Sequence, residues 1–202
     1  MTPSAPLVFA GAVLTGGASR RMGADKALLA PGGAGGVPLV RLAAAALEAA
    51  GARSVVAVGG DAVSLALEGL HVVEDSWPGA GPLGGIITAM ASVDEAAVTH
   101  VVVLACDLVA PSAESVRRLV ASAATVPEAV AVPVVDREPQ WLHACWPLSL
   151  KAHLEAAFRE GVRAPRRLLP GMAVHPVPGL DPATLHDADS PGELPWADPV
   201  GT

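Results

Sequence analysis

Continuous apolar runs alternate with helix-patterned stretches along this chain. Residues 7–14 (Leu-Val-Phe-Ala-Gly-Ala-Val-Leu) and the run from His100 to Ala105 lack the polar position every second residue of a half-exposed strand, so both read as strands buried on two faces. Shorter runs at 54–58 and 70–74 read the same way. Between them, the Ala- and Leu-rich residues 39–50 predict a helix ending at Gly51, and Gly-Pro-Leu-Gly-Gly at 81–85 starts another reaching about Ser92. Pro111-Ser112 opens a helix to about Ala124, with Glu114 in the first turn where the helix dipole favours an anion. Strands near 129–134, 140–146 and 173–178 and helices near 149–160 and 164–169 complete the series. Pro-Gly-Gly-Ala-Gly-Gly-Val-Pro at 31–38 reads as a flexible turn.

Repeated β-α-β units of this size predict an α/β fold: a three-layer, doubly wound and mostly parallel sheet covered by helices on both faces. One domain spanning residues 1–202 accommodates it, with no internal repeat. On such sheets ligands bind at the carboxyl ends of the strands. The loop at 15–26, Glu74-Asp75 and Asp107 each follow a predicted strand, so all three are expected to open onto one edge.

Composition narrows the picture. Hydrophobic residues make up 51% of the chain and aromatics only 3%, with no Tyr, which describes a core of small aliphatic side chains. A net charge of −7 argues against a general nucleic-acid-binding surface. No apolar run is long enough to span a bilayer and the N-terminus lacks a cationic leader, so a cytoplasmic location is expected. Cys106 and Cys145 lack metal-ligand spacing, and Cys106 is expected to be a buried thiol. Between Ser54 and Val116 there is no Lys or Arg, yet eight carboxylates fall there. A polyphosphate would be repelled unless a divalent cation bridged it to some of them. Cations gather instead at Arg20 to Lys26 and between Lys151 and Arg167, as if facing each other across a cleft.

The most concentrated chemistry lies in Leu14-Thr15-Gly16-Gly17-Ala18-Ser19-Arg20-Arg21-Met22-Gly23-Ala24-Asp25-Lys26. Its glycines permit close backbone approach to an anion, and Arg20, Arg21 and Lys26 surround that concavity with positive charge. Neither a P-loop nor a dinucleotide fingerprint fits the spacing. The stretch resembles the Leu-x-Gly-Gly-x-Ser-x-Arg-Met-Gly-x-Asp-Lys signature of the molybdenum-cofactor guanylyltransferase (MobA) family, within the nucleotidyltransferase superfamily, at every specified position. The resemblance implies a Rossmann-like nucleotidyltransferase fold, with Leu14, Thr15, Gly16, Gly17, Ser19, Arg20, Gly23 and Lys26 at the nucleotide and Arg21 and Lys26 acting on triphosphate charge. Gly16-Gly17 resembles the guanylyl rather than the cytidylyl version of the signature. A missing methyl there makes room for a purine.

Further matches lie far from this loop. Asp107 stands directly after a buried strand, as does the family's Cys-Asp that binds metal and nucleotide, so it is the first choice for Mg²⁺ and for catalysis. Where the family usually has Pro two residues later, this chain has Val109. Asp187-Ala188-Asp189-Ser190-Pro191 is similar to the family's late Asn/Asp-x-Asn/Asp motif near the metal. Alternate residues on a short strand share a side; Asp189 is taken as the metal candidate of the pair. The resemblance also places Asp75 and the Gly81-Pro82-Leu83 turn at the nucleotide. It puts His143 on a strand lining the acceptor pocket, where a core histidine is the competing account.

The implied activity is transfer of GMP from Mg²⁺-GTP to the phosphate of molybdopterin, with release of pyrophosphate and with transient contact with molybdoenzymes or their chaperones. Two other readings remain open: a cytidylyltransferase, or a nucleotidyltransferase for another phosphorylated metabolite, and a silent nucleotide-binding or delivery module.

Overall fold

A computed structural model describes residues 7–16, 26–30, 35–168 and 171–188. In chain order the regular elements are β1 (Phe9–Leu14), α1 (Leu39–Ala50), β2 (Val55–Val58), α2 (Ala62–Leu67), β3 (His71–Val73), α3 (Pro82–Ala91) and β4 (His100–Ala105), followed by α4 (Ala113–Ala123), β5 (Val130–Val135), β6 (Glu138–Pro139), β7 (Cys145–Pro147), α5 (Lys151–Arg159) and β8 (Val174–Val177). They build one sheet in the order β3-β2-β1-β4-β7-β5-β6, with β8 paired to β5. The contacts β3-β2, β2-β1, β1-β4 and β5-β8 are parallel, and β7 runs antiparallel between β4 and β5. This is the expected mostly parallel α/β sheet, with β7 and the two-residue β6 at its end reversed.

The continuous apolar runs are explained by burial on two sides. Phe9 and Val13 of β1, Val102 and Leu104 of β4, and Ala57 of β2 point into a core closed by Val40, Ala43, Ala44 and Leu47 of α1 and Val116 and Leu119 of α4. Their neighbours Ala12, Val101, Val103, Val56 and Val58 face the opposite core, built on Leu83, Ile86, Ile87 and Met90 of α3 and Leu154 and Phe158 of α5. Each polar position that alternation would have put outside has a helix over it instead.

Local chemistry sets the helix ends. Gly51, in the left-handed region (φ 99°), stops α1, and its N–H donates back to Glu48 and Leu47 carbonyls. Ser112 caps α4 by accepting from the N–H groups of Glu114 and Ser115. Asp61 caps α2, a short helix that the sequence pattern does not announce, by accepting from Ser64 N (2.7 Å).

The strand expected at 140–146 is shorter than predicted, because Trp141–His143 forms a 3-10 turn and β7 begins at Cys145. The helix expected at 164–169 is a 3-10 turn, Pro165–Arg167. Cys106 sits at a strand end and is half-buried rather than buried, whereas burial of Cys145 pushes its thiol up to about 12. Among the described residues no helix is long and apolar enough to cross a membrane.

Helix α1 lies so close to β1 that only glycine fits beneath it. A Cβ on Gly11 would stand 2.9 Å from Leu47 Cδ1 and 3.0 Å from Leu47 Cβ. Gly11→Val is therefore expected to lower stability by about 1–3 kcal/mol through overpacking, read as a lower urea midpoint at unchanged slope.

Candidate active site

Strand register brings four chain crossings to one edge of the sheet. Leu14 is aligned with Val58 on one side and Ala105 on the other, and Val58 with Val73. Thr15-Gly16, Gly59, Asp75 and Asp107 therefore leave the sheet side by side, at the carboxyl ends where such sheets bind ligands.

Thr15 braces this edge. Its N–H (3.0 Å), its hydroxyl (2.9 Å) and the N–H of Gly16 (3.2 Å) all donate to the carbonyl of Val58, and the threonine is buried. The hydroxyl is thus committed to the fold and sets where the glycine loop departs. Gly16 borders Asp75: among the described residues, the nearest atom to a Cβ built there would be Asp75 Oδ2 at 3.6 Å. The other oxygen of Asp75, Oδ1, accepts from Trp77 N (3.0 Å) and from the hydroxyl of Thr88 on α3 (3.2 Å), and Thr88 in turn accepts from Ser76 N (3.2 Å). Thr88 was not singled out in the sequence. Its signal was one hydroxyl in an otherwise apolar helix.

The glycines of α3 serve close packing. A Cβ on Gly85 would press on Leu14 at 3.3 Å, and one on Gly84 on Trp77 at 3.2 Å. Gly81 holds φ 96° with the Arg163 carbonyl where its Cβ would be, and that carbonyl accepts from Leu83 N (3.1 Å). Leu83 itself is fully buried, so it faces the core, while Gly81 and Pro82 are exposed at the helix start.

Across the edge, the segment after a 3-10 turn (Pro182–Leu185) returns to pair with the end of β4. Val109 N donates to His186 O (3.1 Å) and Ala188 N to Asp107 O (2.9 Å), an antiparallel bridge that sets Asp187 opposite Leu108. Lys26 Nζ ties this segment down by donating to Ala188 O (2.8 Å), and it lies 3.6 Å from Asp107 Oδ2. Burial raises the Asp107 carboxyl above its ordinary value, the nearby negative charge of Asp187 raises it further, and Lys26 opposes both. Asp187 Oδ1 also stands 3.2 Å from Nε2 of the buried His143.

The second cationic cluster does not gather as a unit. Lys151 follows β7, which runs against β4, so it lies at the far end of the sheet, paired with Glu95. Arg159 pairs with Glu155 (3.2 Å). Arg163 is near the site but occupied: it donates to the Phe158 carbonyl (2.6 Å) and covers the Phe158 ring at 4.1 Å. Arg166 and Arg167 are exposed. Gly17, Ser19, Arg20, Arg21, Gly23 and Asp189 lie outside the described residues.

A lysine and two neighbouring carboxylates at the carboxyl edge of a doubly wound sheet form a site suited to phosphate chemistry, and the sequence model this chain matches is that of a nucleotidyltransferase. A sequence model described as the MobA-like NTP transferase domain matches residues 11–176. The chain is 39% identical to a molybdenum cofactor guanylyltransferase of Rhizobium johnstonii over 73% of this chain and 68% of that protein. It is 34% identical to a probable molybdenum cofactor guanylyltransferase of Opitutus terrae, over 80% of this chain and 77% of the other. The crystal structure of molybdopterin-guanine dinucleotide biosynthesis protein A from Archaeoglobus fulgidus superposes with a TM-score of 0.67 at 26% identity, covering 83% of this chain and 82% of that one. The protein belongs to the MobA-like NTP transferase family.

Proposed function

We propose that the protein transfers GMP from GTP to the terminal phosphate of molybdopterin. A phosphate oxygen of the pterin attacks the α-phosphorus of GTP, a new P–O bond forms, the bond to the β-phosphate oxygen breaks, and pyrophosphate leaves. The attacking oxygen is already ionised, so the protein's task is to position the reactants and stabilise charge. Likeness to guanylyltransferases over most of the chain carries this reading.

The donor chemistry fits Mg²⁺. Asp107 and Asp187 are hard oxygen donors whose mutual repulsion a cation would relieve, and among the described residues no set of three His, Cys, Asp or Glu side chains forms a full protein cage. A pair of carboxylates completed by substrate phosphates is how Mg²⁺ is commonly held. Asp107 and Asp187 would hold it, with Asp189 as the further candidate from the sequence. When bound, the cation supplies positive charge against the phosphate oxygens. Lys26 adds a fixed charge beside Asp107, and Arg20, Arg21 and the glycine-rich sequence around them are assigned to the triphosphate. Asp75, held by Thr88 and bordering Gly16, is assigned to the nucleoside. Gly81 and Pro82, exposed where α3 begins, are placed on the same nucleotide.

Pyrophosphate release with molybdopterin as acceptor tests the assignment. GTP is expected to be used well ahead of CTP, ATP and UTP, and equal or preferred use of CTP would replace guanylyl by cytidylyl transfer. Gly16→Ala sharpens the test, because among the described residues there is room for the methyl: the nearest atom, Asp75 Oδ2, lies 3.6 Å from it. Its melting temperature should match the parent's, while kcat/KM for GTP falls about ten-fold or more through the lost purine space. Unchanged GTP use would show that Gly16 does not set the base.

A further inference from the structure

His143 is a buried titratable side chain to which the reaction outlined above gives no role. Its side chain is 2% exposed, and among the described residues neither ring nitrogen has a hydrogen-bond partner. Asp187 Oδ1 is likewise buried and unpartnered, although the side chain as a whole is 38% exposed. These two orphaned atoms face each other at 3.2 Å, a close approach not aligned as a hydrogen bond. The ring lines a small cavity with Leu104, Leu108, Pro133 and Leu185, and the polar groups there are engaged: Ser115 with Thr184 at 2.8 Å, Ser112 in the cap of α4.

For stability alone this is a poor choice of residue. A buried donor or acceptor without a partner costs free energy that an apolar side chain of similar volume would not. The arrangement gains a purpose if Asp187 must be held at one place and rotation. We propose that His143 is a positioning residue: Nε2 stands against Asp187 Oδ1, and a small rotation that aligns its N–H with that oxygen fixes the carboxylate beside Asp107, so that the pair is set to receive a divalent cation. Outer partners of carboxylate ligands act in this way, orienting the donor atom before the ion arrives. The inference rests on the metal-dependent nucleotidyltransferase reading.

Binding of Mn²⁺ alone to the full chain, followed by electron paramagnetic resonance of the free ion, separates positioning from packing. His143→Leu should fold, melt at or above the parent temperature in EDTA, and bind Mn²⁺ about ten-fold or more weakly. His143→Gln, which can place an amide N–H near the Nε2 position, should restore binding to within a few-fold of the parent. Asp187→Asn should weaken binding by itself, and adding His143→Leu to it should cost nothing further, because the histidine acts through that carboxylate. Parent-like Mn²⁺ binding by His143→Leu would overturn the proposal, as would an equal loss in the Asp187→Asn background. If the leucine variant does not fold, His143→Met takes its place: Mn²⁺ binding about ten-fold or more weaker supports positioning, and parent-like binding rejects it. Failure to transfer GMP would appear separately, as no pyrophosphate release by the parent while these Mn²⁺ differences persist.

Discussion

Asp107→Asn is expected to lower guanylyl transfer by about 10³-fold while leaving the metal-free protein as stable as the parent or more so. The two effects have one origin. Asp107 is a carboxylate drawn out of water at the end of β4 with a second carboxylate beside it, so burial first and the Asp187 charge second raise its pKa above the ordinary value of 3.8. A raised carboxyl favours the protonated form in the folded state. Its stabilising contribution is therefore present at low pH and is lost as pH rises from 3.8 through the raised folded value. At neutral pH the ionised group is a cost to the empty protein, and Asn removes it while keeping the shape. In EDTA the parent's stability should decline across that window, and the variant's decline should be smaller. Added Mg²⁺ should reverse the order, because a ligand that binds only the folded parent stabilises it by mass action. A variant within a few-fold of parental activity would remove Asp107 from the metal and catalytic assignments.

Much of the frame was legible because each signal was local. The runs Phe9–Leu14 and His100–Ala105 are buried on both faces, so their unbroken hydrophobicity marks them as interior strands. Gly51 and Ser112 announce helix ends by their own backbone and hydroxyl chemistry. Strand direction carries no such mark. The reversed β7 is specified by its pairing with β4, and its reversal separates the cations: Lys151 is carried to the far end of the sheet, so the compact 151–167 cluster suggested by the sequence does not form.

The site was legible in its residues more than in its couplings. Asp75 and Asp107 stand at the expected strand ends, but the Thr88 hydroxyl that orients Asp75 comes from the next helix. Asp187 approaches Asp107 through a bridge between segments far apart in the chain, which no spacing rule could reveal. Thr15 stands inside the loop signature as a candidate for the nucleotide, yet its hydroxyl is consumed by Val58. Arg163, one of the cations clustered in the sequence between Lys151 and Arg167, spends its guanidinium over Phe158. In each case a tertiary contact decides how a recognisable residue is used.

Lys26 should show the opposite pairing of effects from Asp107. Its ammonium is half-buried, donates to the Ala188 carbonyl at 2.8 Å and lies 3.6 Å from Asp107. It thus anchors the segment that carries Asp187 and offsets part of the negative charge gathered there. Lys26→Met keeps most of the apolar stem but removes both functions, leaving the Ala188 carbonyl without this donor and the two carboxylates less compensated. Stability should fall, where Asp107→Asn preserves it. In the Asp107→Asn background the same substitution should cost less, since one of the charges it balanced is gone, and the coupling should lie at about 0.5–3 kcal/mol by double-mutant cycle. Activity should fall by about 10²–10³-fold, because a fixed charge beside the phosphates stabilises the transition state in a way mobile water does not. Lys26→Arg should recover the charge without the compact point contact, giving an intermediate rate. Chemical denaturation and pyrophosphate release on the same four proteins, parent, two single variants and the double variant, decide the matter: equal stability losses in both backgrounds would uncouple Lys26 from Asp107, and near-parental transfer by Lys26→Met would remove it from the reaction.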